Sequence, residues 1–346
     1  MRSFSKKYLE RLELPLGTMW LLGECMEFKG KQQLWESRRP EVLSALKEIA
    51  IIQSVESSNR IEGVEVESKR LRPLVLGNSR PRTRSEEEIM GYRRALELVH
   101  LKHSNIQVRP KTIQQLHNRA QEGAGDAGQW KSSNNEIIEF DSKGLRSVRF
   151  IPTSAKLTPK QMDQLCLGYA EESQKDRLPS LVLSALFVLD FLCIHPFRDG
   201  NGRVSRLLTL LLTYKNDFHV GRYISFERII EENKIEYYQA LKLSSQGWHQ
   251  SKHDAVAWLN FFLSTIRMAY KELSEKVSGT DVESGGKTEI IKKAILEEIG
   301  LFSLKDIQTR CPSVSQQMIK KVLADLKKKQ LIELRGRGRG AKWHVK

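Results

Sequence analysis

The sequence predicts a mainly α-helical protein in two parts, a large helical domain followed by a small C-terminal one, and three observations predict it. Apolar residues recur at helical spacing through most of the first 277 residues. Strand-like runs in that part are confined to one stretch, Ser133 to Ile151. A small, polar, glycine-rich segment, 278–286, then sets a basic tail apart. With 346 residues, 40% hydrophobic and 29% charged, the chain can bury a core and lies far from the composition of a disordered one.

Residues 1–84 read as an N-terminal helical region whose first clear helix is Val42 to Ile61. Across 85–277 the helical patterns are Ser85 to Leu101, Lys111 to Gln121, Pro159 to Glu172, Leu178 to Ile194, Arg203 to Tyr214, Phe226 to Glu232, Ile235 to Ser245 and Asp254 to Lys276. Between the second and third of these, EIIEFDSKGLRSVRFI places two strand-like runs around an Asp-Ser-Lys-Gly turn, a lone β-hairpin amid helices. Residues 278–286 are the expected linker.

In 287–346, Thr288 to Ile299 reads as an amphipathic helix, Ser303 as N-cap of a short helix through Thr309, and Ser313 as cap of a third running to about Lys329. LIELRGRGRGAKWHV follows, two strand-like pieces around an Arg-Gly repeat. Three helices and a basic hairpin resemble a winged helix-turn-helix, whose third helix enters the major groove. Gln316, Gln317, Lys320 and Lys321 would then begin the reading helix, and Arg335, Arg337 and Arg339 would form the wing; the same fold can instead dock protein.

The net charge of +15 points to an anionic partner, and residues 286–346 hold 15 Lys and Arg against 6 Asp and Glu, so most of the excess lies in the tail. Cys25, Cys166, Cys193 and Cys311 show no CxxC spacing and read as small core residues, with neither a disulfide nor a zinc site expected. The longest apolar run, Leu181 to Ile194, is interrupted by Ser184 and Asp190 and is shorter than the roughly 18 to 20 residues of a membrane span. The N-terminus lacks the apolar stretch of a secretory signal, so no membrane partner and a cytoplasmic location are expected.

One segment carries chemistry. An apolar helix ending at Ile194 runs into His195-Pro196-Phe197-Arg198-Asp199-Gly200-Asn201-Gly202-Arg203, where a second apolar helix begins. Gly200 and Gly202 let the backbone turn tightly and aim N–H groups outward at a helix N-terminus, an anion site. Arg203 and Arg206, at i and i+3, share a helical face and can grip further phosphate oxygens. Asp199 offers a hard oxygen beside those phosphates, suited to Mg²⁺. His195 has the residue type for taking a proton from a hydroxyl at neutral pH. Phe197 would anchor the loop in the core.

Together these residues match HPFx(D/E)GNGRxxR, and the chain resembles the Fic family over roughly Ser85 to Lys276. The resemblance implies a Fic-type helical domain with a β-hairpin flap, and adenylylation: transfer of AMP from ATP to a hydroxyl side chain (Ser, Thr or Tyr) of a target protein. It assigns His195 as general base and Asp199 as the Mg²⁺ ligand. The amides around Gly200, Asn201 and Gly202 become the anion hole, and Arg203 and Arg206 the clamps on the outer phosphates. It further places the target as an added strand along Ser147, Val148, Arg149 and Phe150 of the flap. Tyr237 and Tyr238 would meet the adenine, or equally be core tyrosines of an amphipathic helix. The segment after the flap, Pro152-Thr-Ser-Ala-Lys, departs from the proline-rich run of many members.

Ser58-Asn-Arg-Ile-Glu62-Gly63 fits the family's inhibitory pattern (S/T)xxxE(G/N), in which the glutamate pairs with the second arginine, here Arg206, and obstructs the γ-phosphate. A carboxylate at a helix C-terminus opposes the helix dipole at a cost of a few tenths to about 1 kcal/mol unless a cation compensates. Two other readings stay open: a DNA-binding transcriptional regulator whose Fic domain senses nucleotide, and a Fic enzyme of other chemistry, moving UMP or phosphocholine or removing AMP. A target protein and duplex DNA on 287–346 are the expected partners, with a homodimer as a further candidate.

Overall fold

The computed structural model describes residues 2–77, 79–140, 144–278, 286–296, 298, 300–311, 314–335 and 342–345. The chain forms two compact units, Met1–Leu273 and Ser274–Lys346. The boundary thus falls a few residues before the expected linker, of which 279–285 lie outside the described residues. The first 84 residues share a unit with the helices that follow them.

In the first unit the chain runs α1 (Lys6–Leu9), α2 (Leu16–Arg38), α3 (Pro40–Ile61), α4 (Ser68–Val75), α5 (Arg84–Lys102), α6 (Pro110–Ala120), β1 (Ile137–Phe140), β2 (Arg146–Phe150), α7 (Thr158–Lys175), α8 (Ser180–Ile194), α9 (Asn201–Lys215), α10 (Phe226–Glu232), α11 (Lys234–Ser245) and most of α12 (Val256–Ser278), the helix within which the unit boundary falls. The mainly helical class and the hairpin agree with the expectation. The helix α2 does not: its apolar residues are spread around the axis, leaving Leu16 and Trp20 exposed while Leu22 and Cys25 are buried. Gly17, Gly23 and Gly30 weaken the helical pattern further.

The helix α8 is the centre of this unit. Leu181 through Ile194 are all buried, because α7, α9 and α11 pack around it, and that accounts for an apolar run with no polar face. The helix α9 is buried along nearly its whole length as well, so the loop between the two is held by core on both sides. The helix α3 packs on α5 and α10 and delivers its C-terminus to the start of α9. No helix among the described residues is long and apolar enough to cross a membrane. All four cysteines are buried.

The second unit runs α13 (Gly286–Leu296), β3 (Leu301–Phe302), α14 (Leu304–Arg310), α15 (Gln316–Lys328), β4 (Ile332–Arg335) and β5 (Lys342–Val345). Its antiparallel sheet has the order β3-β5-β4, with Leu301 opposite His344 and Glu333 also opposite His344 on the other side. Ile291, Ile295, Phe302, Ile307, Ile319, Leu323 and Ile332 form its core. Ser303 caps α14 in a capping box with Asp306. The cap of α15 is Ser315, whose hydroxyl accepts from the Met318 amide, and not Ser313, which lies outside the described residues. Arg335 ends β4, exposed and paired with Glu333 at 2.6 Å, whereas Arg337 and Arg339 lie outside the described residues.

Candidate active site

The loop between α8 and α9 is built by side chains closing on its own backbone. The helix α8 stops because His195 turns into the left-handed region, φ +51°, and Pro196 cannot continue the ladder. A non-glycine residue there costs about 1–2 kcal/mol, so the surroundings must hold it. Asn201 accepts from the Phe197 amide at 2.9 Å and donates to the Phe197 carbonyl at 2.8 Å, locking the turn with its side chain. Phe197 is fully buried and stacks on His117, with ring centroids 3.7 Å apart. His117 Nδ1 accepts from the Gly128 amide at 2.8 Å, so its Nε2–H donates to the Asp199 carbonyl at 3.0 Å. Burial lowers the pKa of that imidazole, consistent with the neutral tautomer.

Both loop glycines answer to close approaches. Gly200 sits at φ +76° as N-cap of α9, and a Cβ there would fall 2.4 Å from Gln121 Nε2. A Cβ on Gly202 would fall 2.2 Å from Glu62 Oε1, so the carboxylate lies directly over the first turn of α9.

Glu62 arrives there from the C-terminus of α3. Gly63, at φ +79°, lets the Val64 amide return to the Asn59 carbonyl at 3.0 Å, which ends the helix and turns the chain away. Arg206 then donates from Nη2 to Glu62 Oε1 at 2.7 Å, from Nε to Ser58 Oγ at 2.8 Å and from Nη2 to the Ser58 carbonyl at 2.9 Å. Burial opposes its charge and Glu62 restores it, the balance raising the guanidinium pKa. Arg203 is held in the same manner by Glu88 of α5, at 2.6 Å. Arg206 Nη1 and Arg203 Nε and Nη1 are buried without a partner, as is Gln121 Nε2. These orphaned donors around one helix N-terminus suit an anion with several oxygens.

A cavity of about 190 Å³ opens beside the loop, lined by Glu62, Arg149, His195, Gly202, Arg206 and Tyr238 among others. His195 Nδ1 lies 3.3 Å from the Leu192 carbonyl, an arrangement in which Nδ1 carries the proton and Nε2 keeps its lone pair. Burial, then the Lys131 charge, push its pKa down to about 4, so the ring is neutral at physiological pH. Tyr237 is buried among Tyr238, Trp258 and Phe261, the surroundings of a core tyrosine, while Tyr238 stands at the rim under the Arg149 guanidinium. Both tyrosines line the cavity.

The flap pairs Ile138 with Val148 and Glu139 with Ser147, with a bulge between Ile137 and Ile138. Ser147 and Val148 are exposed and Arg149 and Phe150 half-buried, the latter two lining the cavity. Lys242 of α11 ties the flap down through Glu139 at 2.7 Å. Of its turn, residues 141–143 lie outside the described residues.

Asp199 is exposed; its Oδ1 accepts from the Gly200 amide at 2.6 Å, and it lines a second cavity of about 500 Å³ with Glu87, Glu88 and Asp126. Among the described residues no three His, Cys, Asp or Glu side chains converge on one point. A hard carboxylate beside these donors fits a Mg²⁺ that would take its other ligands from phosphate and water.

Sequence reasoning missed Glu88, His117, Gln121, Lys131 and Asn135. His117 alone had a visible signal, lying between Leu116 and Ala120 on the buried face of a predicted helix. The others act on a carbonyl, a glycine or a distant arginine, contacts with no local pattern.

A helical core that presents a glycine loop, two arginines and a neutral histidine around one helix N-terminus suits group transfer, and comparison with known proteins points the same way. Residues 107–213 match the Fic/DOC family model, which identifies a Fic domain in this part of the chain. It is 27% identical over 111 residues to a Fido domain-containing protein of Dictyostelium discoideum, covering 30% of this chain and 73% of that one. A Fic family protein from Desulfovibrio desulfuricans shares the fold at 20% identity with a TM-score of 0.60, each chain covered to 97%. A Fic domain containing signaling protein from Bacteroides thetaiotaomicron does so at 20% identity with a TM-score of 0.61, over 75% of this chain and 99% of that one. Fic-domain proteins transfer nucleotides or other groups to proteins, so a transferase is the activity of the family. Glu62 and Tyr237 lie outside the matched segment.

Proposed function

We propose that the chain is an autoinhibited protein adenylyltransferase, moving AMP from ATP to a Ser, Thr or Tyr hydroxyl of a target protein. The observation that carries this reading is Arg206, which is gripped by Ser58 and Glu62 while its Nη1 and two nitrogens of Arg203 stand buried without partners. His195 Nε2 takes the hydroxyl proton as the oxygen bonds to the α-phosphorus, and the bond from that phosphorus to the β-phosphate bridging oxygen breaks, releasing pyrophosphate. The amides of Gly200 to Gly202 and the side chain of Arg203 hold the phosphate oxygens. Asp199 would hold Mg²⁺, which neutralises phosphate charge when bound. Arg206 cannot serve Glu62 and the γ-phosphate at once, and this competition is the restraint.

Label incorporation from α-phosphate-labelled ATP, including self-modification, tests the reading. Glu62→Gly is expected to exceed the parent by at least about tenfold, and Glu62→Gly/His195→Ala to lose the gain. A parent as active as Glu62→Gly removes the inhibitory role. Transfer only from UTP or a phosphocholine donor, or removal of AMP from a modified protein, assigns another chemistry.

A second activity, duplex-DNA binding by the C-terminal unit, is supported by α15. The helix buries Ile319, Val322, Leu323 and Leu326 and exposes Gln316, Gln317, Lys320, Lys321 and Lys328. The full chain should bind duplex DNA with an affinity that falls steeply with salt. Lys320→Ala/Lys321→Ala should flatten the slope of log affinity against log salt by about 0.9 per lost phosphate contact. Absence of salt-dependent binding makes the unit a protein-docking module.

A further inference from the structure

Three carbonyls flanking the histidine are taken by one short segment. Lys131 Nζ donates to the carbonyl of Ile194, the last residue of α8, at 3.2 Å; the Lys131 amide donates to Pro196 at 2.8 Å; Asn135 Nδ2 donates to Phe197 at 3.2 Å. The Lys131 ammonium also donates to Asn135 Oδ1 at 2.7 Å, which joins the contacts into one cradle. Lys131 is only 5% exposed, and among the described residues no carboxylate pairs with it. Burying a cation against neutral oxygens alone is unfavourable, and burial lowers its pKa to about 8. The negative end of the α8 dipole is the feature that offsets this, and it is one residue from His195.

We propose that Lys131 is a positioning residue for His195: its ammonium group and adjoining amide hold the peptide units on either side of the histidine in the left-handed turn that presents the ring to the cavity. The inference deepens the reading of His195 as the base and rests on it. A second effect follows from the charge. The groups that act on the imidazole are Lys131 and Arg149 of the flap, which disfavour its protonation, and Glu62 at the end of α3, which favours it. Arg206, Tyr237 and Tyr238 line the same cavity. Lys131 is the larger of the two cationic influences and adds to burial in favouring the neutral ring.

The test uses the full chain with labelled histidine, nucleotide absent, and follows the His195 ring by NMR from pH 3.5 to 8, the signal being assigned by its loss in His195→Gln. In Lys131→Met the His195 titration should move up by about half to one pH unit, and Lys131→Arg should return it toward the parent. In the Glu62→Gly background, Lys131→Met should lower kcat by about 10- to 100-fold with KM for ATP within about threefold, and Lys131→Arg should recover most of the loss. An unmoved titration, or a kcat that falls no further than the folded fraction, overturns the proposal. If Lys131→Met does not fold, Lys131→Gln, which keeps a donor but no charge, takes its place in both measurements. If Glu62→Gly itself transfers nothing from ATP, the adenylyltransferase reading fails, and the titration alone decides the role of Lys131.

Discussion

At φ +51° His195 holds a conformation that most side chains avoid, and at a pKa of about 4 it holds a protonation state that burial imposes. The turn presents the ring to the cavity, and the neutral state leaves Nε2 with a lone pair that can accept a proton from a hydroxyl. Its neighbours do different work: Asn201 ties the turn, Gly202 leaves room for Glu62, and Arg206 carries the charge. His195→Ala should therefore leave the loop and nucleotide binding intact. In the Glu62→Gly background it should reduce AMP transfer by about 10²- to 10⁴-fold. ATP affinity by calorimetry and label incorporation read the two separately, and transfer that persists in the variant removes the base assignment.

The Glu62–Arg206 contact, proposed as inhibitory, depends on where α3 ends. Its last carbonyls form the negative helix end that makes Glu62 unwelcome, and Lys234, the first residue of α11, answers it by donating to the Ile61 carbonyl at 3.1 Å. Lys234→Met should lower stability by roughly 0.5–1 kcal/mol and raise basal label incorporation, by less than Glu62→Gly does, because the carboxylate remains but its helix end is looser. Thermal unfolding and incorporation check it; an unchanged basal rate shows that Ser58 and Glu62 alone set the restraint. The elements behind this contact were legible to different degrees. The helices α8 and α9 and the loop between them were plain, since an apolar run and two glycines encode them locally. The pairing of Glu62 with Arg206, 144 residues away, was reachable only through the family pattern. The helix α2 was hidden by glycines and by apolar residues on every face. Lys131 and Asn135 were hidden because their partners are backbone carbonyls, which every residue possesses.

Across the whole first unit, acid should be destabilising, and one buried carboxyl should resist it. Burial lowers the pKa of His100 to about 3 and of His195 and His253 to about 4, and also lowers those of His103, His117 and His219. Between those values and the ordinary 6.5 the unfolded chain binds protons that the folded chain does not, so stability falls as pH drops through that window. Glu86, held down by the Arg70 guanidinium, acts in the same direction at lower pH. Asp190 works against them. It sits on α8 and accepts from the Ser3 amide at 3.0 Å, from the Ser3 hydroxyl and from Trp248 Nε1 at 2.6 Å, clasping the N-terminal segment to the central helix. Burial outweighs those hydrogen bonds and raises its pKa to about 6, so between 3.8 and 6 the folded chain holds a proton that the unfolded chain has released. Its contribution therefore grows as pH falls through that window, opposite in sign to the histidines. With several lowered histidines against one raised carboxyl, the melting temperature should drop by about 5 °C or more from pH 7 to pH 5. In Asp190→Asn the N-terminal clasp is weaker at every pH, and the drop should be steeper because the opposing group is gone. Melting curves of both proteins at pH 5, 6 and 7 decide it, and a shallower drop in the variant would contradict the assignment of Asp190.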